Sequence, residues 1–160
     1  MLLDTLLEVR RRSEALIAGL EPEDLGLQGM ADASPPKWHL AHTTWFFDTF
    51  VLQPHLASHT PCDPRWSYQF NSYYEAVGER HPRSERGVLS RPTIREILEW
   101  RAYVDAGLTQ VLANEPTSKL RALVELGLQH EQQHQELLLM DLLDGFSRQP
   151  LEPSYGIDAD

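Results

Sequence analysis

Two histidines four residues apart, His130 and His134, stand in the Leu-rich stretch Leu128-Gln129-His130-Glu131-Gln132-Gln133-His134-Gln135-Glu136-Leu137-Leu138-Leu139-Met140. On a helix, positions i and i+4 lie one above the other, about 5–6 Å apart at Cβ, so two imidazoles can grip one metal ion. The spacing is H-E-x-x-H, which in metalloproteases supplies two zinc ligands and a general base. Leu123, Leu126, Gly127, His130, His134, Leu137 and Asp141 follow one stripe at helical spacing, which puts both histidines on or beside the core-facing side. A buried imidazole with neither a hydrogen-bond partner nor a metal costs about 1–3 kcal/mol. For a lone histidine a hydrogen bond inside the core answers that cost; for a pair at this spacing a metal answers it better.

A site of this kind needs a third ligand. Its best source is Trp38-His39-Leu40-Ala41-His42, inside an aromatic helical run. His39 and His42 stand at i and i+3 and can share a face, so spacing does not choose between them. His55 and His59 are also four apart, but Pro54 and Pro61 bracket them, and His81 precedes Pro82 in an Arg-rich turn. All three are expected at the surface. The protease reading loses ground: only 26 residues follow His134, with no further histidine, and no strand precedes the helix. Glu131 lies about 100° around the helix from His130, so it is expected either to hydrogen-bond a ligand histidine or to be solvated.

The elements that must position these side chains read as helices. Leu3, Leu6, Leu7, Val9, Leu16, Ile17 and Leu20 predict a first amphipathic helix over 2–19, ended by Gly19. Ser34-Pro35-Pro36 has the form of a second helix start, with Ser34 as N-cap, and the helix stops before Pro54. Residues 53–92 form a long connection rich in proline and aromatics, with a short helical piece expected at 71–77. Thr93 and Glu96 make a capping box that opens a third helix. A fourth runs from Thr117 or Ser118 to about Leu143, with Gly145 just beyond its end. The expected fold is all-α: a four-helix bundle over 1–146 with a long crossover between helices 2 and 3, then a linker or tail over 147–160.

Composition narrows the function. A net charge of −10 argues against nucleic acid and anionic membranes. Cys62 is the only cysteine, so no disulfide framework exists. The N-terminus lacks a basic segment followed by an apolar run, and no stretch approaches 18 uninterrupted apolar residues. A cytoplasmic location is expected.

Three stretches taken together, Ser34–Asp48, Phe70–Arg80 and His130–Glu136, resemble the N-terminal DinB-like domain of the ergothioneine-biosynthesis sulfoxide synthases. The resemblance covers Leu25 to about Tyr155, with the motifs in order. It implies a mononuclear non-haem Fe(II) site held by His42, His130 and His134, which settles the tie between His39 and His42; Zn or another divalent ion is the alternative as purified. It implies substrates as well: hercynine, a thiol (cysteine or γ-glutamylcysteine) and O2. Gln133, just before the last ligand, is the residue expected to hold the hercynine imidazole. Arg80, Arg83 and Arg86 are the arginines expected to receive the thiol substrate's carboxylates. Three neutral imidazoles on one side of octahedral Fe(II) leave three positions for other ligands, and a glutamine amide offers a neutral imidazole both a donor and an acceptor.

The family's synthases also carry a C-terminal formylglycine-generating-enzyme-like domain, which completes the active site and supplies an important tyrosine. This chain ends at Asp160, about where that domain would begin, so sulfoxide synthesis is expected to need the domain in cis or trans, and no catalytic residue is assigned here. The alternative is a stand-alone DinB-like metal-dependent thiol transferase or hydrolase. A third reading is a non-catalytic helical module whose histidines serve structure or dimerisation, a homodimer forming through apolar surface in the region 66–74.

Overall fold

The computed structural model describes residues 2–72 and 78–156. Among them there is no strand, and the chain is a helical bundle as expected. Helix α1 spans Leu2–Ala15 and α2 Pro36–Phe46; α2 continues through a π-helical turn, Phe47–Leu52, into a last turn, Gln53–His55. A short α3, Pro64–Phe70, and a 3-10 turn, Arg83–Val88, lie in the crossover. Helix α4 spans Ile94–Val111 and α5 Ser118–Ser147. No helix among the described residues is long and apolar enough to cross a membrane.

Helix α2 is the axis. Every residue from Trp38 to Asp48 is buried, which is how a helix surrounded by its own protein reads. It packs most extensively on α5 and next on α4. Trp38, Trp45, Phe46 and Phe47 fill the core with Leu6 from α1, Ile97, Val104 and Leu108 from α4, and Val124 and Leu138 from α5. Gly127 on α5 makes the closest approach: a Cβ there would lie 2.5 Å from Cε1 of Phe47 and 2.9 Å from Cε1 of Phe46.

Several boundaries differ from those expected, each for a local reason. The capping box at Thr93 and Glu96 forms as predicted. Ser34 is not the N-cap of α2; Pro35 holds that position. Ser34 is turned to other partners, its hydroxyl accepting from Arg86 Nη1 at 2.8 Å and its N–H donating to Asp141 at 2.8 Å. Pro54 does not end the second helix, because the π turn interrupts the regular ladder just before it and leaves Pro54 in the first turn of a new segment, where a missing N–H is harmless. Gly145 lies inside α5, not beyond it. Its role is close approach: a Cβ would stand 2.6 Å from Leu27 Cδ2, where the preceding loop crosses the helix.

The crossover is tied down along its length. Trp38 Nε1 donates to Gln69 O at 3.0 Å and Trp45 Nε1 to Ser67 Oγ at 3.1 Å. The piece expected at 71–77 lies largely outside the described residues. Within the stretch 66–74 considered as an apolar dimer face, Trp66 packs on Trp100, ring centroids 5.2 Å apart, and Phe70 is buried. Those two rings serve the monomer's own core.

Two histidines expected at the surface are inside. The His59 side chain is 1% exposed, and its Nε2 lies 3.1 Å from Asp48 Oδ1; Asp48 Oδ2 in turn accepts from Trp100 Nε1 at 2.8 Å. The buried carboxylate inside α2 needed donors, and the crossover provides one. His81 is also buried, stacked on Tyr68 at 5.9 Å.

Candidate metal centre

His42 comes from the middle of α2; His130 and His134 come from the facing stripe of α5. The three imidazoles each bring a ring nitrogen to within 4.8 Å of the others. Their ring centroids are mutually 4.6–4.8 Å apart. Nε2 of His42 lies 3.0 Å from Nε2 of His130.

The orientation of His42 follows from its other nitrogen. Nδ1 lies 2.6 Å from the carbonyl oxygen of Phe70. A carbonyl can only accept, so Nδ1 carries the proton and Nε2 presents its lone pair to the cluster. Backbone carbonyls commonly orient metal-ligating histidines in this way. Trp38, one turn earlier, stacks on the His42 ring at 4.6 Å and 13°, and the Arg86 guanidinium covers the Trp38 ring at 3.4 Å. The short α3 thus has a specific task, since it delivers the Phe70 carbonyl.

His39 faces the same cluster by another route. Its Nδ1 lies 2.9 Å from Nδ1 of His134, and its Nε2 2.9 Å from Asp141 Oδ2. Spacing left His39 and His42 equivalent; the three-histidine group contains His42 and not His39.

Burial lowers the basicity of all four rings. For His39 burial dominates, partly opposed by Asp141. His42 falls well below the ordinary histidine value through burial and then the neighbouring His130. Burial brings His130 down to about 4, against the opposing pull of Glu131. His134 is lowered by burial and then by His42 and His39. At neutral pH these rings are therefore uncharged, which is the state in which imidazole binds a metal. The donor set fits a divalent ion: three neutral nitrogens and no carboxylate hydrogen-bonded to any of the three rings among the described residues. Nδ1 of His130 is buried and has no hydrogen-bond partner among the described residues.

A cavity of about 290 Å³ opens over the histidines and is also lined by Gln133, Arg83 and Arg86. Arg86 is buried, whereas Gln133 is exposed at the mouth. Arg80 reaches an adjoining cavity that shares Ser72, Arg83 and Arg86 with the first, and donates to Ser72 O at 2.6 Å. The structure therefore brings Gln133, Arg83 and Arg86 to the histidines and leaves Arg80 one step away. Cys62 lies elsewhere, half-buried, its thiol pushed up to about 12 by burial and then by Asp48; it is not a reactive thiolate.

Glu131 is neither solvated nor hydrogen-bonded to a ligand histidine. It is 1% exposed on the neighbouring face of α5, accepting from Arg10 Nη1 at 2.9 Å, Ser13 Oγ at 2.7 Å and Arg101 Nη2. Sequence reasoning had also given no role to Asp141. A carboxylate seven residues after His134 on the same helical stripe was the available signal; of that stripe Leu126, expected on or beside the core-facing side, is exposed.

Fold and site define a helical-bundle domain whose three-histidine group can hold a divalent metal. The chain belongs to the DinB superfamily, whose family description matches residues 5–138. Comparison with curated proteins gives no significant match.

Proposed function

We propose that this chain is the iron-binding part of a sulfoxide synthase that joins a thiol, cysteine or γ-glutamylcysteine, to the imidazole of hercynine with O2. The observation that carries the reading is the convergence of neutral His42, His130 and His134 beneath a cavity bordered by an amide and two guanidinium groups. Bound there, Fe(II) would supply activation of O2 and hold the thiol as thiolate. The chain's own residues select and orient. The Gln133 amide can donate to one nitrogen of a neutral imidazole or accept from the other. Arg83 and Arg86 offer planar donor pairs to a carboxylate, and Arg80 extends the cationic side of the cavity. A second domain of the formylglycine-generating-enzyme type, in cis or trans, would close the cavity and complete the chemistry.

The test is an anaerobic Fe(II) titration of wild type and of His42→Ala, His130→Ala and His134→Ala, followed by addition of hercynine and thiol. About one Fe(II) per wild-type chain, lost or sharply weakened in each variant, is the expected outcome. Unchanged binding in any one variant removes that residue from the ligand set. Hercynine should perturb the Fe(II) spectrum in wild type and more weakly in Gln133→Ala. If Zn supports thiol turnover without O2 while hercynine has no effect, the superfamily alternative of a thiol transferase or hydrolase takes its place.

A further inference from the structure

His39 and Asp141 lie beside the cluster without belonging to it. Asp141 Oδ2 accepts the Ser34 N–H at 2.8 Å and lies 2.9 Å from His39 Nε2. The oxygen that accepts the Ser34 N–H serves His39 as an acceptor as well, so His39 carries its proton on Nε2 and its Nδ1 is a bare lone pair. That lone pair is 2.9 Å from Nδ1 of His134, and the contact is satisfied only if His134 is protonated on Nδ1. His134 Nε2 is then unprotonated. The His39 ring has little freedom to turn, since it is 3% exposed and stands edge-on to Trp38 at 5.8 Å and 82°.

We propose that Asp141 and His39 are positioning residues, a serial carboxylate–imidazole chain that fixes His134 as its Nδ1–H tautomer and aims Nε2 at the metal. The inference rests on the metal reading of the three-histidine group. Two ligands are thus set by different devices: His42 by a backbone carbonyl from the crossover, His134 by a side-chain chain that also anchors the start of α2 through Ser34. Hydrogen-bonded partners of ligating histidines set tautomer and ring orientation, and their loss typically weakens metal binding 10–100-fold. A chain that merely tied α2 to α5 would affect stability and leave the tautomer alone.

The experiment uses the full chain labelled with 15N-histidine. Long-range 1H–15N spectra of the metal-free protein read the His134 tautomer, and competition titration reads its affinity for Zn(II). Wild type should show one His134 tautomer, protonated at Nδ1. His39→Phe and Asp141→Ala should lose that single state and bind Zn(II) about 10–100-fold more weakly. The double variant should be no weaker than His39→Phe alone, because the links act in series, and Asp141→Asn, which keeps an acceptor oxygen, should recover part of the loss. His42→Ala serves as the control that abolishes binding. Should His39→Phe not fold, His39→Gln and Asp141→Ala carry the same comparison. Folded variants with an unchanged His134 tautomer and unchanged Zn(II) affinity would overturn the proposal. So would a loss in His39→Phe as complete as in His42→Ala with Asp141→Ala unaffected, which would make His39 itself a ligand. Failure of wild type to bind Zn(II) overturns the metal reading, while the metal-free spectra decide the positioning chain separately.

Discussion

Helix α5 carries two buried polar clusters on adjacent faces, offset by a single residue. His130 and His134 face α2; Glu131 and Gln135 face α1 and α4. On the Glu131 side the charges are matched within the chain. Arg10, Arg101 and Ser13 donate to the carboxylate, and Gln135 Nε2 donates to Val9 O at 2.8 Å and Ser13 Oγ at 2.9 Å. Burial alone would raise the Glu131 pKa, but Arg101 and Arg10 outweigh it and bring it down to about 2. The histidine side is built the other way. Three bases meet one another beside a buried arginine, their basicity is suppressed, and a cavity lies over them. Matched charges sealed from water are structural. Like bases gathered beneath an opening can take a ligand from outside.

The largest test of that contrast is Glu131→Ala. It removes the carboxylate that Arg10 and Arg101 share but leaves Asp105 to Arg10 and Glu14 to Arg101, so the cost is at most the roughly 3–5 kcal/mol of breaking a buried pair from one side. Chemical denaturation should show a loss of up to that size, while Zn(II) affinity of the folded protein stays near wild type. His134→Ala should do the reverse, changing metal-free stability by about 1 kcal/mol and removing metal binding. If Glu131→Ala lost the metal and His134→Ala lost the fold, the two faces would have been assigned the wrong way round.

Acid should separate the faces as well. The folded His130 pKa, about 4 against an ordinary 6.5, means that the unfolded chain takes up that proton first. Metal-free stability therefore falls as pH drops from 6.5 toward 4. Glu131 runs lower, from an ordinary 4.5 to about 2 in the folded state; its contribution is full above 4.5 and disappears as pH falls toward 2. Denaturation midpoints across pH should show the upper window reduced in His130→Ala, the shares of His39, His42 and His134 remaining, and the lower one flattened in Glu131→Gln. A single window, lost in both variants together, would mean that the clusters are coupled.

The two faces also differed in how far they could be read in advance. The paired histidines of α5, the Trp38–His42 run and the Thr93–Glu96 cap are local patterns, and local patterns survive without knowledge of the fold. Four helices and the long crossover follow from the same periodicity. Glu131 could not be placed, because the arginines that neutralise it come from α1 and α4, 121 and 30 residues away in sequence. His59 failed for a nearer reason: its partner Asp48 stands only 11 residues back, but two flanking prolines made the segment look like surface. Spacing also could not choose between His39 and His42. The carbonyl that orients His42 is supplied by α3, and the carboxylate that holds His39 lies a full helix away. Partners on other elements, not local propensity, set these outcomes.

Metal should stabilise only through the open face. A ligand that binds the folded state stabilises it by about 2.7 kcal/mol at 100 times its dissociation constant. Zn(II) at that level should raise the melting temperature of wild type and of Glu131→Gln, each relative to its own metal-free form. It should leave His42→Ala where it was. A shift in His42→Ala equal to that of wild type would place the ion elsewhere.

The smallest effect concerns the wall between the clusters. Gly127 lies one turn before His130, and a Cβ there would press on Phe47 at 2.5 Å and Phe46 at 2.9 Å. Replacing a mid-helix glycine by alanine gains about 1 kcal/mol of helix propensity, whereas overpacking a filled core costs about 1–3 kcal/mol. The net for Gly127→Ala is a destabilisation of about 0–2 kcal/mol. The direction of relief matters more than its size. The Phe47 ring lies under the Arg10 guanidinium at 5.2 Å and the Phe46 ring 5.0 Å from the His130 ring, so the methyl can push toward either cluster. Yielding by Phe46 should lower Zn(II) affinity in Gly127→Ala, whereas yielding by Phe47 should leave the affinity and move the pH window of Glu131 through Arg10. An unchanged affinity would show that the aromatic wall absorbs the methyl without passing the displacement to His130.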